Sequence, residues 1–155
     1  TTHRFISTNT NVGGWKDSEM STYVNGTIYK ALPSELQNVI ISTKVISSHG
    51  STSGETNFET QDKLYLLNAQ EVWSTNDYDT SVGTSKQLDY YKNQGVTAIN
   101  YAGAIKSYKA NGYFWWLRSS SFNTVYSLLG SDFNGGWNSA NASDSYGISP
   151  AFRIA

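Results

Sequence analysis

The chain has 155 residues, 11 basic against 12 acidic side chains and no cysteine. It is long enough to close one domain around its own core without disulfides or a structural metal, and no net field draws it to nucleic acid or to an anionic membrane. The missing cysteines also remove thiol nucleophiles, thiolate metal sites and redox switches. What stands out is uncharged polarity: 22 Ser, 15 Thr and 14 Asn accompany 14% aromatic and 15% charged residues. Rigid aromatic area beside adaptable hydrogen-bonding groups is the palette of a binding surface, and equally that of a loop-rich β protein. No stretch reaches the roughly 18 apolar residues of a membrane span and no apolar signal core follows the amino terminus, so direct membrane insertion is not expected. A start at Thr1 without Met reads as a domain cut from a longer protein.

Taken in order, the first helix signal opens at Asp17 or Ser18 and carries Met20, Tyr23, Val24, Ile28, Ala31 and Leu32 at three-and-four spacing. Pro33 ends it. A short second helix from Ser34 presents Leu36, Val39 and Ile40, and the β-branched run Ile40 to Ile46 reads as a strand. From Ser47 to Gln61 the polar, glycine-containing sequence predicts an exposed excursion. Lys63 to Leu67 is a short buried strand, followed by a helical turn through Ala69, Glu71, Val72 and Trp73, a polar loop over residues 74–84, and one or two helical turns at Lys86 to Lys92. Tyr113 to Leu117 suits a central strand, with Val125 to Leu129 and Ile148 to Ile154 as further strands and a long small-residue stretch between those two. Helices first and strands later define an α+β class.

Candidate chemistry is sparse. His3 and His49 lie far apart and read as surface histidines, so neither a zinc site nor a histidine-based triad is spaced for. Asp77 and Asp79, near Trp73 and Asn76, are too few for calcium. Gly13 and Gly14 lack the lysine and helix context of a phosphate loop. The sequons at Asn25 and Asn141 are expected by chance in such a composition. Arg118, one of three arginines, is read as a structural fork tying a loop beside the core, and Trp15 and Trp137 as core anchors. No cofactor, metal or catalytic residue is expected. A hydrolase would need Glu71, Asp77 and Asp79 to converge; a carbohydrate-binding module would use Trp73 and Tyr78; an invariant structural or adhesin domain is the plainest alternative.

The last 37 residues have a different alphabet. Lys, Glu, Gln and Met occur 8, 5, 5 and 1 times in residues 1–118 and never in 119–155. A core strand and a small-residue loop avoid such side chains. A genetic cause is sharper: codons descended from AAC by replacing adenines keep a third-position C, and no NNC codon encodes those four types or Trp. They do encode the Asn, Ser, Asp, Tyr, Gly, Ala, Phe, Thr and Leu that crowd Phe122 to Tyr146, where Trp137 is the one forbidden type.

The ordered blocks Asn11, Gly13, Gly14, Trp15; Leu32, Pro33; Asp62 to Leu67 with Glu71, Val72, Trp73; Gln87 to Tyr91; Trp115 to Ser119; and Gly147 to Ile154 resemble a bacterial surface-protein domain of unknown function. That resemblance implies a C-type-lectin-like fold of the type shared with formylglycine-generating enzymes. It would have two or more N-terminal helices on a small, mainly antiparallel sheet with long loops. It does not imply enzyme activity, since those enzymes' catalytic cysteines have no counterpart here. It also implies kinship with the variable proteins of diversity-generating retroelements, whose reverse transcription misreads template adenines. Gly135, Trp137, Ala142, Ser143, Ser145, Gly147 and Pro150 match the fixed positions of such templates. Gly136, Asn138, Ser139, Ala140, Asn141, Asp144 and Tyr146 stand at the variable ones, and Phe122, Tyr126, Ser127, Ser131, Asp132, Phe133 and Asn134 fit the same logic upstream. Ser120 departs from the proline common in relatives. The expectation is a non-catalytic recognition domain at a bacterial cell surface or on a phage virion. Trp115, Trp116 and Phe152 hold the backbone, and Phe122, Tyr126, Phe133 and Tyr146 are exposed anchors for an unknown protein or glycan on another cell, host or phage surface.

Overall fold

The computed structural model describes residues 1–74, 82 and 86–155. After strand β1 (Thr2–Arg4), Ser18 opens the first helical segment by accepting the Ser21 N–H at 2.9 Å. The segment runs through α1 (Glu19–Tyr23), a π-helical turn (Val24–Ile28) and α2 (Tyr29–Ala31), burying Met20 and Val24, and stops before Pro33 as predicted. Asn25 sits in the π turn. Its side chain donates to the Leu64 carbonyl at 2.8 Å and accepts the Lys63 and Leu64 N–H groups at 3.0 Å, so this chance sequon is a tether for the next strand pair. Helix α3 (Ser34–Val39) follows, with Val39 exposed instead of facing the core.

The β-branched run splits into β2 (Ile40–Ile41) and β3 (Thr43–Ser47). The expected exposed excursion is a correction: its end is β4 (Phe58–Asp62), paired with β3 from Thr43↔Asp62 to Ser47↔Phe58, and Ser47, Ser48 and Gly50 are buried. Small residues permit this. A Cβ on Gly50 would stand 2.5 Å from the Asn11 Oδ1, and the Ser48 hydroxyl accepts the Ser120 N–H.

Next come β5 (Tyr65–Leu66) and α4 (Ala69–Trp73), the latter opened by a capping box between Asn68 and Glu71. The 74–84 loop lies, apart from Ser74 and Val82, outside the described residues. Helix α5 (Asp89–Asn93) buries Tyr91 but leaves Leu88 and Tyr90 exposed. A 3-10 turn (Ala102–Ala104) leads into the hairpin β6 (Lys106–Tyr108) and β7 (Asn111–Tyr113). Then come β8 (Trp115–Ser120), β9 (Ser127–Ser131), β10 (Trp137–Asn141), β11 (Ser145–Gly147), β12 (Pro150–Ala151) and β13 (Arg153–Ile154).

Five of these strands form one sheet in the order β1-β11-β8-β9-β10, with only the β11–β8 pair parallel. The small-residue stretch therefore contains two strands, β10 and β11. The expected single strand at Ile148 to Ile154 divides, β12 pairing with β5 and β13 with β2, and Phe152 is 40% exposed and outside the core. Side chains alternate across a strand, and β8 uses both faces. Trp116 joins Phe5, Trp15, Met20 and Leu128, whereas Trp115 and Leu117 join Trp73, Tyr91 and Leu129. Each such side chain contributes about 1.5–3 kcal/mol on burial. The architecture is mixed α and β, mainly sheet with a few short helices.

Candidate ligand-binding face

Pairing decides which predicted residues meet. Ser120↔Leu128 and Asn141↔Ser127 place the 121–126 loop and the turn after β10 at one end of the sheet, whereas Trp115↔Ser131 and Trp137↔Ser131 place the 132–136 loop at the other. Phe122, Tyr126, Asn141 and Asp144 therefore share one end, and Asp132, Phe133, Asn134 and Gly136 the opposite one. Strand β10, at the sheet edge, joins them with exposed Asn138, Ser139 and Asn141 and partly buried Ala140; at about 3.4 Å per residue the two ends are about 15 Å apart.

Each end has its own backbone fastening. At the first, the Asn11 Nδ2 faces the carbonyls of Ser121, Thr124 and Ser127 at 3.1, 2.9 and 2.9 Å, and the Asn11 N–H donates to Val125 O at 2.8 Å. Buried Ala142 closes the same end, its N–H donating to Tyr126 O and its carbonyl accepting from Phe5 and Ile6. With the main chain so held, Phe122, Val125 and Tyr126 stand 45%, 49% and 43% exposed beside Val12 at 49%. Asn11, Val12 and Val125 were not singled out from sequence for the face. Asn11 acts on carbonyls that any residue supplies, so no partner side chain marks it.

At the second end the Asp132 carboxylate accepts the N–H groups of Asn134 and Gly136, at 2.8 and 3.1 Å. Gly135 has φ +89°, and a Cβ there would meet Tyr101 O at 2.2 Å; its carbonyl accepts the Trp73 indole N–H at 3.1 Å. Phe133, at the tip, is 64% exposed. Asp132 is thus a turn-former as well as a candidate contact.

Four predicted site residues lie elsewhere than on an open surface. Ser127, Ser131 and Gly136 are buried, because β9 is covered on both faces and Gly136 lies under Tyr101. Tyr146 is not a free anchor: β11 runs beside β8, separated from β10 by β8 and β9, and the Tyr146 ring packs on Phe114 and Trp116 at 4.3 and 5.2 Å.

The remaining chemical groups are engaged structurally. Arg118 donates to the Leu66 and Ile46 carbonyls and pairs with Glu71. The Trp15 indole N–H donates to Asp62 at 2.9 Å, and Trp137 packs against the Trp73 cluster. His3 stacks on Tyr23 at 4.2 Å and His49 bonds the Gly50 carbonyl. Asp77, Asp79, Asn76 and Tyr78 lie outside the described residues. Among the described residues no three His, Asp or Glu side chains come together to hold a metal, and no helix is long and apolar enough to cross a membrane.

A sheet-based domain with an exposed, backbone-fastened rim is what the geometry defines. The chain matches, over residues 2–155, the family described as Domain of unknown function (DUF6273), and it belongs to that family. No curated protein and no solved structure matches it.

Proposed function

We propose that this protein is a non-catalytic recognition domain of C-type-lectin-like fold, displayed at a bacterial cell surface or on a virion, whose rim from Phe122 to Asp144 is diversified by a retroelement. The observation that carries the reading is the division between fastened backbone and open side chains at the 121–126 loop. Every hydrogen bond that Asn11 makes there goes to a main-chain carbonyl, so the Phe122 and Tyr126 side chains are free to change without altering the fold, whereas Thr124 holds the Ser127 N–H with its hydroxyl. Five of the variable positions, Phe133, Asn134, Asn138, Ser139 and Asn141, are exposed beside the buried fixed residues Gly135 and Ala142, whereas variable Ser127, Ser131 and Gly136 are buried and fixed Ser143 and Ser145 are exposed. Binding energy in such faces concentrates in a few aromatic anchors, here Phe122, Tyr126 and Phe133, and the ligand is a protein or glycan surface.

The experiment is sequencing of many natural copies of the gene and its neighbourhood. The reading expects a reverse transcriptase, a near-copy of the segment with AAC at the divergent codons, and adenine-specific variation at the exposed positions. Variation spread evenly over the chain, with no such copy, overturns it.

A further inference from the structure

The β6–β7 hairpin rests on the 132–136 loop, where Gly112 meets the Phe133 carbonyl. Between the hairpin and β11 opens a cleft of about 490 Å³, lined by Lys106, Tyr108, Tyr113, Trp115, Ile148 and Ser149 among others. None of these is a candidate variable position, and the size suits a small ligand. Cross-strand pairing of Lys106 with Tyr113, and the two-residue spacing to Tyr108, put these three side chains on one face of the hairpin. The two tyrosine rings meet edge to face at 6.1 Å and stay 59% and 39% exposed. The Lys106 Nζ lies 4.8 Å from the centre of the Trp115 ring.

Two observations point to an anion. Among the described residues no carboxylate lies within ion-pair distance of Lys106 or Lys109. Burial holds the Lys106 ammonium below its ordinary pKa, the mark of a charge short of both water and a counterion. The hairpin turn is also strained: Lys109 and Ala110 have φ +49° and +66°, where Asn-Gly is the usual choice. That turn sets the Lys109 Nζ 5.4 Å from the Tyr108 ring centre, a second cation beside the same aromatic pair.

We propose that this cleft binds a carboxylate carried on a sugar ring, a hexuronic acid unit, with Lys106 receiving the carboxylate, one ring of the Tyr108–Tyr113 pair packing on the sugar's C–H face and the other closing on its edge. Ser149 and Thr2, which also line the cleft, carry hydroxyls that match the polar edge of such a ring. None of the residues lining the cleft is a candidate variable position, so failure of this site and failure of the diversified rim are read out by different variants.

The test is an NMR titration of the labelled protein with a galacturonate trisaccharide and with its methyl ester, which removes the charge and adds one methyl group to each carboxyl. The amides of Ser107, Tyr108 and Tyr113 shift and saturate with the acid. The ester and Lys106→Met each weaken binding about tenfold or more; Lys106→Arg retains it, and Phe122→Ala leaves it unchanged. No shift on the hairpin at millimolar acid, equal binding of the ester, or full binding by a folded Lys106→Met variant overturns the proposal. If Lys106→Met fails to fold, the comparison of acid with ester on the unaltered protein decides.

Discussion

The Arg118 guanidinium meets both oxygens of Glu71, Nη1 to Oε2 at 2.7 Å and Nη2 to Oε1 at 3.3 Å, with the two side chains 3% and 16% exposed. Glu71 also closes the α4 cap by accepting the Asn68 N–H at 2.8 Å. One carboxylate therefore joins α4 to β8, and through Arg118 to the Leu66 and Ile46 carbonyls. Glu71→Gln leaves a buried guanidinium without its counterion, a loss of about 3–5 kcal/mol and roughly 10 °C in a domain of this size. Glu59→Gln, which breaks the exposed pair with Lys44, costs less than about 1 kcal/mol. Thermal melts of the two variants check the contrast; equal shifts would contradict the assignment.

Asn11→Ala removes the side-chain donor shared by the Ser121, Thr124 and Ser127 carbonyls, of which Ser127 O keeps the Ser121 N–H. The expected cost is about 1–3 kcal/mol, with faster hydrogen exchange at the amides of Ser121 and Ala142, whose partners are Ser127 O and Tyr126 O. Exchange unchanged at both would remove Asn11 from its role as the fastening of this loop.

Tyr146 and Phe122 are expected to part company. Tyr146→Ala empties a place against Phe114 and Trp116 and costs about 2 kcal/mol or more. Phe122→Ala and Tyr126→Ala, on exposed rings, stay within about 0.5 kcal/mol. Chemical denaturation of the three variants measures this directly.

Glu19 carries an acid-range signature. Hydrogen bonds from Ser7, side chain first and then backbone, and from Arg4 hold its carboxyl at about 2 against an ordinary 4.5. A depressed pKa gives stability that is full above 4.5 and is lost as pH falls towards 2. Glu19→Gln should therefore melt lower than the unaltered protein at pH 6, the gap closing between pH 4.5 and 2. A gap that persists at pH 2 would mean the loss is not electrostatic.

Local signals were legible in the sequence. Ser18 and Pro33 bound the first helical segment because a cap and a missing N–H act within one turn. Of the run Tyr113 to Leu117 read as one central strand, Trp115 to Leu117 lie in a strand buried on both faces, whereas Tyr113 ends β7 and is exposed; Arg118 read correctly as structural. What was hidden is non-local. Strands β4 and β10 are built from polar residues whose pairing is carried by backbone groups that every residue has. Tyr146 read as exposed because its neighbours are small and polar, whereas its place is set by β11 lying beside β8. Asn11, part of a recognisable block, gave no sign that its acceptors lie more than a hundred residues away.

The central claim is that the rim tolerates change because its backbone is held from beneath. A displayed library with NNC codons at 122, 126, 133, 138, 139 and 141, scored for protease resistance and then for capture by a panel of unrelated proteins and glycans, tests it most directly. The account predicts that most members stay as resistant as the parent and that different members capture different targets. It also predicts that a matched library at buried 127, 131, 135 and 142 is mostly degraded. Equal loss of resistance in both libraries, or a resistant rim library that captures nothing, would contradict it.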